Sequence, residues 1–194
     1  MRRSSCRTLG PRNIVSGMRY VVVGTSGSGK STFARKLSAA THLPYIELDE
    51  LHWSENWTPR PREEFEDRVR GATSGQGWVV DGNYSVIRPI VWPKATHVVW
   101  LNFARSVVFS RIVWRTLRRA AVRETLWHGN RESFSKAFLS KESILLWSFT
   151  TYSKNVAKYA ALREGNEHPQ LIWAELRSPG SAREFLRAQA APGA

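Results

Sequence analysis

The residues Gly24-Thr25-Ser26-Gly27-Ser28-Gly29-Lys30-Ser31, followed by Thr32, form a G-x-x-x-x-G-K-S string. That spacing suits a nucleoside triphosphate. Gly24 and Gly29 permit backbone angles closed to other residues, so successive N–H groups can turn inward around the α- and β-phosphates. A helix beginning here adds its own free N–H groups. Lys30 is expected to reach the β- and γ-phosphates and the Ser31 hydroxyl to ligate Mg²⁺, which makes ATP with Mg²⁺ the expected ligand. The bland alternative, a glycine-rich turn arising by chance, has to reproduce every fixed position. The loop alone does not say what happens to the nucleotide, because motors, GTPases and kinases share it.

The acids must decide. In an open parallel sheet, ligands bind beyond the carboxyl ends of the strands. Trp78-Val79-Val80-Asp81 is an apolar run ending in an acid, so Asp81 is the expected second metal-organising residue. Val98-Val99-Trp100-Leu101 competes with it but ends in Asn102, an amide where that role wants a carboxylate. A plain turn-opening Asp before Gly82 is the structural alternative. Glu47 and Asp49 close another apolar run. If that strand continues through both, residues two apart face the same side, and both carboxylates enter the cleft. Two such acids suit a phosphoryl acceptor, with Asp49 as the base and Glu47 positioning the acceptor. His52 can hydrogen-bond the acceptor, although a His beside Trp53 is more often a packed loop residue.

Arg105, Arg111, Arg115, Arg118, Arg119 and Arg123 crowd one segment without an acid among them. Arg111, Arg115 and Arg119 share a helix face, and the opposite side is expected to carry Val107, Val108, Ile112 and Leu117. A lid that brings Arg115 and Arg119 onto the transferring phosphoryl group would neutralise charge and exclude water. Nucleic-acid phosphates and a solvated face are the other readings. Arg88, beyond the third strand, is placed to contact an anionic acceptor. Arg177 and Pro179 follow the last strand and are expected to pack on the adenine base. Most of the nine tryptophans read as core, with Trp53 and Trp57 as candidates for the acceptor pocket.

Such residues need a scaffold. Tyr20–Val23, Leu43–Leu48, Trp78–Asp81, His97–Leu101 and Leu171–Leu176 read as strands. Ser31–Ala40, Arg62–Ala72 (ended by Gly71) and Ser181–Gln189 read as helices, with Trp53–Pro61 a loop between. Alternation of this kind implies parallel strands joined by right-handed crossovers, a three-layer α/β fold. A mainly helical insertion spans about 105–165. The chain of 194 residues suits one domain, 18–194, behind a basic extension, 1–17, which is expected to be disordered. That extension loosely resembles a transit peptide, but a plain disordered extension, with Met18 as a candidate natural start, is the preferred reading. A lone cysteine, Cys6, excludes an internal disulfide framework and favours a reducing cytoplasmic setting. No apolar run approaches the roughly 20 residues of a membrane span. The net charge of +13 points to anionic partners.

The strings GTSGSGKST, LDELHW, WVVDGNY, ETLWHGNRESF and LRSP together resemble adenylate-kinase-related P-loop proteins of the topology-modulation (FlaR-like) group, over roughly 19–186. The resemblance implies a nucleoside-monophosphate-kinase-like fold, with a parallel sheet of order 2-3-1-4-5 and a lid. It matches Gly24, Gly29, Lys30 and Ser31 to the phosphate loop, Asp81 to the metal-organising acid, and Arg115 and Arg119 to the lid. Glu47 and Asp49 resemble the paired acids of shikimate and gluconate kinases. Where adenylate kinases continue Asp-Gly with Phe-Pro-Arg, this chain has Asn83-Tyr84, which argues against AMP as acceptor.

The favoured expectation is an ATP-dependent phosphotransferase acting on a small-molecule or nucleotide acceptor. The alternative is a nucleotide-dependent nucleic-acid-binding or DNA-topology regulator, less favoured because nucleic-acid-reading signatures are absent from the sequence. A GTPase is disfavoured by the lack of an N-K-x-D string. Nothing in the sequence marks an oligomeric state.

Overall fold

Short apolar runs stopped by a glycine or an acid are the pattern of strands buried on both faces. The computed structural model describes residues 17–82, 84–121 and 141–190, with 115–121 and 141–150 as backbone alone. Its strands are β1 (Arg19–Gly24), β2 (Tyr45–Glu47), β3 (Trp78–Asp81), β4 (His97–Leu101) and β5 (Ile172–Leu176). They form one five-stranded sheet in the order β2-β3-β1-β4-β5, every neighbouring pair parallel. The expected α/β architecture and strand order are those found. The register sets Glu47 beside Asp81, Asp81 beside Val22, and Gly24 beside Leu101, so the phosphate loop and two acids emerge from one end of the sheet.

Among the described residues, seven α-helices connect and flank the strands: α1 (Lys30–Thr41), α2 (Leu48–His52), α3 (Arg62–Ala72), α4 (Arg88–Val91), α5 (Arg105–Ala121), α6 (Lys141–Glu164) and α7 (Pro179–Ala190). Alternation along each strand divides the core in two. Val21, Val23, Val80, Val98 and Trp100 face Leu48, Phe65, Ile90 and Tyr159, from α2, α3, α4 and α6. Tyr20, Val22, Val79, Val99 and Leu101 face Phe33, Leu37, Val108, Ile112 and Ala182, from α1, α5 and α7. Truncating a fully buried aromatic such as Trp78 or Trp100 would cost roughly 3–5 kcal/mol.

The second strand and the last helix depart most from the expected boundaries. The strand expected over 43–48 is shorter at both ends: the Leu43 N–H returns to the Ser38 carbonyl after α1, and Leu48 already begins α2. Helix α3 has the expected span, and the carbonyl of buried Val69 accepts the N–H of Thr73 just past its end. The last helix starts at Pro179, whose fixed φ suits a first helical position. Of the basic extension 1–17, all but Gly17 lies outside the described residues, as does the ETLWHGNRESF string. Among the described residues, no helix is long and apolar enough to cross a membrane.

Candidate active site

The loop between β1 and α1 is built on glycine conformations. Gly29 is the N-cap of α1 at φ 87°, and a Cβ there would lie 2.9 Å from Arg111 Nη1. Gly27, at φ 81°, admits no side chain either, because its Cβ would sit 2.4 Å from Ile112 Cγ1. The loop is therefore pinned between β1 and α5. No side chain caps α1 and its first turn holds no acid, so its leading N–H groups remain available to an anion. Lys30 Nζ folds back to donate to the Thr25 carbonyl at 3.1 Å. Thr25 Oγ1 and Ser28 Oγ are buried without hydrogen-bond partners among the described residues. Such a strand–loop–helix unit at the centre of a 2-3-1-4-5 parallel sheet decides the architecture. The fold is that of a P-loop nucleotide-binding protein.

Asp81 is buried at the end of β3. One oxygen, Oδ2, accepts the Tyr45 hydroxyl at 3.3 Å, while Oδ1 is buried and has no partner. Burial raises the carboxyl above its usual range; the Ser31 hydroxyl and the Lys30 charge pull against this, and Glu47 and Asp49 add to it. A buried carboxylate oxygen left open beside a serine hydroxyl fits a divalent cation. Among the described residues, no group of three or more His, Cys, Asp or Glu could hold a metal by itself. The fit is thus to Mg²⁺ with Ser31 and Asp81 as protein partners, and with phosphate and water oxygens completing its shell.

Glu47 and Asp49 are not on one strand face. The chain turns into α2 at Leu48, so the period-of-two argument ends at Glu47, and the two carboxylates take different partners. Glu47 is buried and pairs with Arg35 of α1 at 2.7 Å, with the same guanidinium over the Tyr45 ring at 5.4 Å. Asp49 Oδ1 accepts the Tyr84 hydroxyl at 2.7 Å. Both acids still lie close enough to Asp81 to act on its ionisation. His52 ends α2 within a cage of Trp53, Phe65 and Tyr84, its ring 4.7–4.9 Å from each. Burial depresses its basicity more than Asp49 restores it. This is the packed-histidine arrangement.

Helix α5 lays Val108 and Ile112 against the loop, and Arg111 travels with them. Arg111 Nη1 donates to the Ser28 carbonyl and its guanidinium lies 4.9 Å from the Phe103 ring centroid. Among the described side chains of the arginine stripe, Arg111 is the one placed on the loop. Arg115 and Arg119 lie one and two turns further along the backbone of α5, and their side chains lie outside the described ones. Arg88 opens α4 with its guanidinium 5.1 Å from the Trp92 ring centroid. Arg177 is held by Glu175 at 2.9 Å, just before Pro179 begins α7. Tyr45, Tyr84 and Arg35 were not singled out from the sequence. A tyrosine in a strand or turn carries no signal until the fold shows which acid it meets.

No protein-family model matches the chain, and no curated protein matches it. Among solved structures, a gluconokinase from Sinorhizobium meliloti 1021 is similar over 91% of this chain and 91% of its own, at 20% identity and a TM-score of 0.49. A candidate kinase from Chloroflexus aurantiacus J-10-fl is similar over 89% of this chain and 96% of its own, at 13% identity and a TM-score of 0.47.

Proposed function

We propose that this P-loop protein is an ATP-dependent phosphotransferase that moves the γ-phosphoryl group to a hydroxyl or phosphate oxygen of a small-molecule or nucleotide acceptor. The observation that supports the reading is a second carboxylate near Asp81: Asp49, whose Oδ1 accepts the Tyr84 hydroxyl and whose charge adds to the rise in the Asp81 pKa. A protein that only binds or hydrolyses nucleotide needs the metal-organising acid. An acceptor-activating enzyme needs a base as well.

In this reading the loop N–H groups and Lys30 bind the phosphates, and Ser31 and Asp81 hold Mg²⁺. Bound Mg²⁺ supplies charge neutralisation on the β- and γ-phosphate oxygens. Asp49 takes the proton of an acceptor hydroxyl as the acceptor oxygen bonds to the γ-phosphorus and the bond to the ADP oxygen breaks. Arg111, with Arg115 and Arg119 further along α5, provides positive charge for the transferring group. Arg177 and Pro179 flank the adenine, and Glu47 and His52 shape the acceptor side, Glu47 through Arg35 and His52 through its aromatic cage. Most of the rate then comes from positioning and electrostatics.

The test is ADP release with nucleoside monophosphates, shikimate, gluconate and related polyols, in the wild type and in Lys30→Ala. Stimulation by one acceptor class, lost with Lys30, is expected. A basal rate unchanged by every acceptor but raised by DNA would instead indicate the nucleic-acid-dependent regulator.

A further inference from the structure

Glu47 and Asp81 stand side by side at the ends of β2 and β3, with Tyr45 and Val79 side by side two residues earlier. Residues two apart on a strand share a face, so these four side chains belong to one side of the sheet. It is the side covered by α1: Val79 clusters with Phe33, Ala34 and Leu37, and Tyr45 packs against that cluster. The Tyr45 hydroxyl reaches along this face and donates to Asp81 Oδ2 at 3.3 Å. Its ring is held in turn, because the guanidinium of Arg35 lies 5.4 Å from the ring centroid and is itself fixed by buried Glu47 at 2.7 Å. Asp81 therefore has two unlike oxygens. The phenol occupies Oδ2, and Oδ1 is buried without a hydrogen-bond partner among the described residues.

That asymmetry bears on which cation the site accepts. Mg²⁺ demands near-ideal octahedral geometry, which the narrow bite of a chelating carboxylate breaks, whereas Ca²⁺ takes carboxylates through one oxygen or both. A hydrogen bond to the second oxygen of a metal-binding carboxylate also fixes its orientation. We infer that Tyr45 sets the metal preference of the phosphate-loop site: by occupying Asp81 Oδ2 it leaves the cation a single oxygen, and so favours Mg²⁺ over Ca²⁺. Tyr45 acts through Asp81 and is a positioning residue. The inference rests on the assignment of Ser31 and Asp81 to Mg²⁺, and is independent of the acceptor.

The experiment titrates a non-hydrolysable ATP analogue into the full chain by calorimetry, in EDTA, in Mg²⁺ and in Ca²⁺, at fixed ionic strength. The readout is the factor by which each cation raises affinity over EDTA. The wild type should gain more from Mg²⁺ than from Ca²⁺. Tyr45→Phe keeps the ring under Arg35 and frees Oδ2. It should leave affinity in EDTA unchanged, cut the Mg²⁺ factor by about tenfold and leave the Ca²⁺ factor equal or larger. Tyr20→Phe removes a hydroxyl that donates to Gln189 Oε1 at 2.7 Å, at the other end of the sheet, and should not move the ratio. If Tyr45→Phe is too unstable to titrate, the rise in melting temperature with each nucleotide and cation mixture gives the same ratio. A ratio unchanged in Tyr45→Phe overturns the inference, as does a wild type without preference for Mg²⁺. Equal loss with both cations, or a loss already present in EDTA, overturns it too and leaves Tyr45 a structural residue. No cation effect in the wild type removes the Mg²⁺ assignment as well. Failure of every acceptor to be phosphorylated sinks the kinase reading, while a ratio lost in Tyr45→Phe still upholds the inference.

Discussion

Tyr84 donates its hydroxyl to Asp49 Oδ1 at 2.7 Å, tying the turn after β3 to the helix after β2. The ring is fixed in turn by Phe65 at 5.2 Å and His52 at 4.8 Å. The carboxylate therefore has one oxygen committed and is held in orientation by a rigid donor, while the phenol is kept protonated by burial and by that same hydrogen bond.

Removing the donor alone should separate positioning from binding. Tyr84→Phe keeps the aromatic packing and loses one charge-assisted hydrogen bond, worth roughly 1.5–3 kcal/mol. If Asp49 is the base, kcat for acceptor phosphorylation should fall by about ten- to a hundredfold. Acceptor-independent ATP hydrolysis and the KM for ATP should change far less. An equal fall in hydrolysis and transfer would mean that Tyr84 supports the fold only.

Asp81 should make the ligand-free protein less stable than it needs to be. Its folded pKa is raised, with burial the largest cause. The folded state therefore holds the proton to higher pH than the unfolded chain, whose Asp titrates near about 3.9. Stability then falls as pH rises from that value through the folded one, and the loss persists above it. Asp81→Asn should remove this slope and raise the melting temperature at neutral pH. It should also abolish the extra stabilisation that Mg²⁺ gives to nucleotide binding. Thermal melts from pH 3 to 8, with and without ATP·Mg²⁺, read both effects.

The fold was legible because its signals are local. The apolar runs, the glycine stops and the G-x-x-x-x-G-K-S spacing each lie within a few residues, and they placed the sheet and the loop. Asp81 was legible for the same reason, as an acid closing an apolar run. The pairing of Glu47 with Asp49 was not, because it depended on where a strand stops. Leu48 is buried as readily in a helix as in a strand, and nothing local chooses between them. Tyr84 acquires meaning only through a partner 35 positions away in the sequence, Asp49. The arginine stripe was visible, but which member meets the loop depends on how α5 is rotated. Ile112 and Val108 set that rotation and bring Arg111 forward.

That rotation can be tested at Gly27. An alanine there must adopt φ near 81° and place its Cβ 2.4 Å from Ile112 Cγ1. Backbone strain and overpacking together should cost roughly 2–4 kcal/mol. Ile112→Ala removes the clash but not the strain, so the double variant should be more stable than the sum of the singles by about 1–2 kcal/mol. Urea unfolding of the four proteins completes the cycle. Strict additivity would show that α5 does not press on the loop.

Glu175 joins three elements, and its pH dependence runs opposite to that of Asp81. It accepts from Arg177 Nε at 2.9 Å, from Asn102 Nδ2 at 2.7 Å and from Arg163 Nη1 at 2.8 Å, linking β5 to the end of β4 and the end of α6. These donors, Arg177 foremost, hold its carboxyl down at about 2, against an ordinary 4.5. A depressed folded pKa gives stability that is fully present above about 4.5 and is lost as pH falls through about 2. Glu175→Gln keeps an acceptor for Asn102 but loses both ion pairs. Arg177 is exposed and Arg163 partly so, and solvent screening limits the loss to roughly 1–2 kcal/mol at neutral pH. The gap between wild type and variant should narrow as pH drops through this window. It should also shrink in 1 M salt, where the Debye length falls to about 3 Å. Urea unfolding at pH 7, 4 and 2 measures it. A gap that stays constant across that range would assign the cost to lost packing rather than to charge.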